Sequence, residues 1–132
     1  MKKMRVKLQM PQDASHYYYA ISCPEPMHKF AWLINAKLSA SFSEGETVKV
    51  NKVDFPVQRD RTVFLIRNRL SDGSTLIPTL KNVDYILKEA GGLTDSGRQK
   101  FVTELKRIDS VNAVILLDAK IVKGLNALNH LY

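Results

Sequence analysis

The sequence predicts an α+β protein, a mostly antiparallel sheet with helices packed on one face. Three observations predict it. Short segments in the first two thirds of the chain alternate apolar and polar residues with a period of two, as half-buried strands do. Two longer segments, near 27–39 and 94–108, repeat apolar residues at helical spacing. A compact apolar run at 111–118 follows the second of these, as a strand follows its crossover helix. The expected order is β-β-α-β-β-β-α-β-α, for which helices over one sheet face are the economical packing.

Residues 3–10 set Met4, Val6, Leu8 and Met10 against Lys3, Arg5, Lys7 and Gln9, a strand with a basic outer face. Pro11-Gln12-Asp13 turns the chain, and Tyr17-Tyr18-Tyr19-Ala20-Ile21 suits a second strand. Ser22 or Cys23 is placed to cap a helix, with Pro24, Glu25 and Pro26 in its first turn. Met27, Phe30, Ala31, Ile34 and Leu38 then mark a helix to about Ser39.

Residues 41–45 read as a loop. Val48 and Val50 share one parity while Val53, Phe55 and Val57 take the other, so a bulge or a break into two short strands falls near Asn51-Lys52. Arg59-Asp60 reads as a tight turn, 62–68 as a further strand, and Ser71-Asp72-Gly73-Ser74 as a turn. Between Leu76 and Leu87 two continuations compete. Val83, Tyr85 and Leu87 alternate as in a strand, whereas Leu80, Val83, Leu87 and Ala90 share a helical face that Gly91 would end. A strand over 83–89 is preferred, since the following helix-strand unit needs a partner. Thr94 or Asp95 caps the second helix, whose buried stripe is Phe101, Val102, Leu105 and Ile108. The almost unbroken apolar run at 111–118 predicts a central strand covered on both faces, lying beside 83–89 in a right-handed βαβ unit. Asp118 would cap a terminal helix with Ile121, Val122, Leu125 and Leu128 inward.

At 132 residues the chain fits one domain, 1–132, with no repeat or linker. Apolar runs are too short to cross a bilayer, and no signal-peptide core follows the basic N-terminus. A single cysteine, Cys23, forms no internal disulfide, so a reducing cytoplasm is expected. The net charge of +7 points to an anionic partner, RNA or an acidic protein. Charge is spread evenly: 1–66 holds ten basic and six acidic residues, 67–132 ten and seven.

The familiar chemistries find no support in spacing. His16, His28 and His130 are scattered and pair with no cysteine, so neither a metal nor a cofactor is expected. Cys23 lacks a histidine and acid to activate it, and Gly91-Gly92 lacks the spacing and lysine of a phosphate loop. What remains is basic and aromatic. Arg61, Arg67 and Arg69 share parity about one strand, and Lys3, Arg5 and Lys7 line another. Together they would form a positive surface for an anionic partner. Tyr17, Tyr18 and Tyr19 are candidate stacking groups for single-stranded bases, although at least one must enter the core.

Ile77-Pro78 and Val83-Asp84-Tyr85, at their present spacing, resemble the signature of the IPExxxVDY family of small bacterial proteins of the Bacteroidetes group. Trp32, Leu65-Ile66-Arg67-Asn68-Arg69 and Ala113-Val114 extend the resemblance over most of the chain. Thr79 departs from it where the signature has glutamate, which argues against carboxylate chemistry there. The resemblance implies a fold and a lineage but no established activity. Genes of that family often neighbour those for a double-stranded-RNA ribonuclease and for acyl carrier protein, which again implies an anionic partner. The functional expectation is therefore a non-enzymatic binding or adaptor module, with an RNA-binding accessory protein and a small enzyme centred on Asp84 and Tyr85 as alternatives. Ile77, Pro78, Val83, Asp84 and Tyr85 are expected to be structural, Pro78 fixing a turn and Asp84 hydrogen-bonding the turn at 78–82.

Overall fold

The structure, a computed structural model, describes residues 16–91, 93–118, 122, 124–129 and 131. The first expected strand, with Lys3, Arg5 and Lys7, lies outside the described residues. The remainder is α+β, as the periodicities require. Six strands form one open antiparallel sheet among the described residues: β1 (Tyr17–Ser22), β2 (Ser43–Val50), β3 (Val53–Asp60), β4 (Val63–Arg67), β5 (Tyr85–Glu89) and β6 (Ala113–Leu117). Their spatial order is β2-β3-β4-β5-β1-β6. The helices α1 (Met27–Leu38) and α2 (Asp95–Lys106) pack on one face.

The two sheet faces bury different partners. On the helical face Phe30, Ala31 and Ile34 of α1 and Leu105 of α2 meet Tyr19, Ile21, Leu65, Tyr85, Leu87 and Val114. On the other face Tyr18, Val57, Phe64, Ile66 and Ile86 meet Leu76, Ile77, Leu125, Leu128 and Leu131. That second cover is built from a loop and the C-terminal residues rather than from α-helix. The expected terminal helix is instead a 3₁₀ turn, Leu125–Leu128, entered through Gly124 at φ 99°. The short turn still delivers Leu125 and Leu128 inward.

Several boundaries move for identifiable reasons. The parity slip at Asn51-Lys52 is a hairpin turn with both residues at positive φ, the pairing that matches strand twist. The next turn falls at Arg61-Thr62, not Arg59-Asp60, because β3 continues through Asp60 opposite Val63. Residues 43–45 belong to β2, with a bulge between Glu44 and Glu46. Pro24, Glu25 and Pro26 precede α1 instead of forming its first turn. Pro26 is the extended N-cap residue, ψ 157°, and Glu25, sitting before a proline, is turned away from helical geometry. Thr94 caps α2 as expected, accepting from the Gly97 N–H.

The largest correction concerns 111–118. The strand there is an edge, not a centre, because β1 inserts between β5 and β6 and pairs antiparallel with both. Ile115 and Leu116 are each 59% exposed as a result. The strand choice for the segment after Pro78 holds: β5 is strand, central and buried at every position.

That central placement buries two charges at the far end of β5. Glu89 accepts from Arg98 Nε at 2.9 Å and from the Gly91 N–H, and the Arg98 guanidinium stacks on Tyr17 at 3.6 Å. Lys88, fully buried, donates to the carbonyls of Leu128 (2.6 Å) and Leu131 (2.9 Å), tying the C-terminal cover to the sheet. Burial pushes its amine down to about 8. A neutral amine still has N–H groups for both carbonyls. The unfolded chain holds the Lys88 proton up to about pH 10.5, so between pH 8 and 10.5 it binds more protons and folded stability rises. Urea denaturation should therefore show the native chain gaining on Lys88→Met by up to about 3 kcal/mol across that interval. A pH-independent difference would refute the assignment.

Candidate functional site

The signature-like stretch sits where β1 and β4 end and β5 begins. Pro78 enforces a turn, and the backbone between Leu76 and Asp84 leaves the sheet, so its polar groups need partners from outside regular structure. Asn68, the first residue after β4, supplies most of them. It is fully buried. Its Nδ2 donates to the carbonyls of Leu80 (2.9 Å) and Val83 (2.8 Å), and its Oδ1 accepts from the Ile77 N–H at 3.0 Å. Its backbone accepts from Leu76 N–H and donates to the Asp84 carbonyl. One side chain thus holds the loop at three points.

Asp84 closes the other side. Its N–H donates to the Ile21 carbonyl, and its carboxylate accepts from the Cys23 N–H at 2.8 Å and from Arg69 Nη2 at 2.5 Å. The turn at 78–82 is therefore held by Asn68, not by Asp84. Asp84 instead joins β5 to the segment entering α1. Tyr85 does the same one residue on. Its hydroxyl donates to the Glu25 carbonyl and accepts from Arg67 Nη1 at 2.9 Å, while its ring packs against Phe30 at 4.8 Å. Burial pushes the Tyr85 phenol up to about 12. Burial likewise raises the Cys23 thiol, which faces the Ser110 hydroxyl at 3.8 Å. A thiol kept protonated is a poor nucleophile.

The cationic candidates are not brought together as one surface. Arg67 lies over the Tyr85 ring, 5.1 Å from its centroid, and its Nε donates to the Arg69 carbonyl. Arg69 is spent on Asp84. Arg61 lies at the opposite end of β4, in the β3–β4 turn at φ 56°, 87% exposed and beside Asp60. Arg67 and Arg69 thus leave one end of β4 together, as their parity requires, but buried acceptors draw them inward. The tyrosines divide similarly: Tyr18 and Tyr19 are core residues, and Arg98 covers Tyr17.

Ile77 is fully buried, Val83 is partly buried and Pro78 is exposed at the turn. Asp84 and Tyr85 are thus engaged in bonds within the chain. Among the described residues no cluster of His, Cys, Asp and Glu is built to hold a metal, and no helix is long and apolar enough to cross a membrane. No family model matches the chain, and neither the curated proteins nor the solved structures yield a match.

Two residues carry more than their sequence context announced. Asn68 was visible only as a polar residue ending a strand, and its partners lie 9 to 15 positions away. Trp32 sits on α1 with the spacing of neither stripe nor core, and it is 65% exposed. Its position opposite Phe30 and Ile34 on the helix was a readable signal.

Removing the Asn68 amide leaves the Ile77 N–H and the Val83 carbonyl without their partner, each costing about 1–3 kcal/mol, while the Leu80 carbonyl keeps the Val83 N–H. Asn68→Ala should lose at least about 2 kcal/mol in urea denaturation, whereas Arg69→Ala, which breaks a half-exposed pair, should lose about 1 kcal/mol. Equal losses would contradict the assignment.

Proposed function

We propose that the chain is a non-catalytic binding module of the cytoplasm, related to the IPExxxVDY proteins it resembles, and that its partner is an acidic protein. What decides for a protein over RNA is how the cations divide. Every described arginine is engaged within the chain: Arg59 with Glu46, Arg61 with Asp60, Arg67 with Tyr85, Arg69 with Asp84, Arg98 with Glu89 and Asp95, Arg107 with Glu104. Arginine forks are the groups best matched to phosphate, and these are already occupied. The cations left over are lysines. Lys37, Lys52, Lys81, Lys100 and Lys106 make no ion pair among the described residues. Mobile ammonium groups of this kind steer an acidic surface inward without reading its shape.

Trp32 supplies the apolar anchor. It stands on the outer face of α1, one turn from His28 and Ala36 and beside Lys29. Tryptophan is enriched among residues that dominate protein interfaces, and a rim of polar groups is their usual setting. The absence of a usable tyrosine platform further weighs against stacked bases. A reaction centre at Asp84 and Tyr85 is disfavoured because both side chains are consumed by structural bonds and are 7% and 0% exposed.

Capture from native extract, with and without ribonuclease, tests this. A partner retained at moderate salt after ribonuclease, and lost on Trp32→Ala, is expected. Material released by ribonuclease and indifferent to Trp32→Ala would overturn the proposal in favour of RNA.

A further inference from the structure

A cleft of about 560 Å³ opens between the first turn of α1 and the β2–β3 hairpin, on the helical face of the sheet. Met27 and His28 form one wall, Glu44 and Thr47 the other, with Pro56 and Gln58 of β3 at the base. Its volume suits a small molecule.

The base holds the unexplained group. Gln58 is only 6% exposed, between Glu44 on β2 and fully buried Leu65 on β4. A primary amide carries two N–H donors and an acceptor oxygen. Among the described residues the Gln58 side chain has no hydrogen-bond partner. Leaving such a group unpaired in a folded interior costs about 1–3 kcal/mol, and a leucine would pack there without that cost. The amide lines the cleft with its donors and its oxygen uncommitted to the described chain.

The two walls have opposite polarity. Pro26 gives α1 no side-chain cap, and the first turn contains no acidic residue. The Lys29 and Phe30 N–H groups turn back to the Pro26 carbonyl, so those of Met27 and His28 have no acceptor among the described residues. This is the electropositive end of a twelve-residue helix. Across the cleft the β2 bulge at Gly45, φ 147° with open space around it, separates two glutamates. Glu46 also lines the cleft, but its carboxylate is held by Arg59 at 3.0 Å. Glu44 remains on the cleft side with no ion pair among the described residues.

We infer that this cleft binds a small zwitterion of the α-amino-acid class, its carboxylate on the Met27 and His28 N–H groups, its ammonium on Glu44 and a polar side chain on Gln58. A simple anion would meet Glu44 unfavourably, and a simple cation would meet the helix end. A neutral ligand would leave both walls uncompensated. Only a molecule carrying both charges, with a hydrogen-bonding group between them, satisfies all three surfaces. The site adjoins the Trp32 face at His28, but the amino-acid proposal and the protein-partner proposal have different readouts and stand or fall independently.

Amide NMR on the full chain tests it, with L-glutamine and glycine as probes and acetate and ethylammonium as singly charged controls. L-Glutamine is expected to shift the Gln58 side-chain NH₂ and the Met27 and His28 amides saturably in the millimolar range. Each control should act at least tenfold more weakly, and Glu44→Gln should weaken L-glutamine binding at least tenfold. Gln58→Leu should abolish binding while leaving stability unchanged or higher. Unmoved resonances with both amino acids, controls as effective as L-glutamine, or indifference to Glu44→Gln would overturn the inference. A destabilised Gln58→Leu chain would overturn it too, by making the amide structural.

Discussion

A buried amide and a buried carboxylate, Asn68 and Asp84, hold this fold together where regular structure gives out. Between Leu76 and Asp84 the backbone leaves the sheet yet covers it, with Leu76 and Ile77 buried in the second core. Backbone that is buried without a ladder must find its hydrogen bonds elsewhere. Asn68 accounts for the Ile77, Leu80 and Val83 groups, and Asp84 fixes the Cys23 N–H at the entry to α1. Each core thus depends on one polar side chain that reaches across the end of the sheet. On the helical side Tyr85 repeats the device, its ring in the core and its hydroxyl on the Glu25 carbonyl.

This division explains why the arginines do not form a surface. Arg67 and Arg69 emerge from one strand end, but Arg67 is held by the Arg69 carbonyl and the Tyr85 hydroxyl and Arg69 by Asp84. Structural demand is met first, and the exposed cations left without an ion pair among the described residues are lysines. The opposite end of the sheet repeats the pattern. Arg98 serves Glu89 and stacks on Tyr17, and Lys88 clasps the C-terminal carbonyls. Function is consequently assigned to surfaces left unsatisfied: Trp32 on the outer face of α1, and the Gln58 cleft beside its first turn.

Much of the fold was legible because it rests on local periodicity. Alternation located β3, β4 and β5, apolar spacing located both helices, and the parity slip marked the end of β2, although the turn after β3 falls two residues later than expected. Strand order was not legible. The run at 113–117 has the composition of a central strand, but insertion of β1 between it and β5 leaves it at an edge with Ile115 and Leu116 outward. No period in the sequence encodes which strand arrives between two others. The role of Asn68 was hidden for the same reason, since its value comes from closing contacts 9 to 15 residues away. Asp84 was expected to hold the turn at 78–82, but its partners, Cys23 at a separation of 61 and Arg69 at 15, could not be chosen without the fold. Gln58 resembled any polar residue of a strand until its burial without a partner set it apart.

Native-state hydrogen exchange at two amides tests the central claim most directly. The Ile77 N–H donates to the Asn68 side chain and the Cys23 N–H to the Asp84 side chain, and neither belongs to a helix or a strand ladder. If these side chains hold the fold, both amides exchange only through global unfolding, with the free energy of the central strand β5. Exchange at the rate of an exposed turn such as 71–74, while β5 stays protected, would contradict the account.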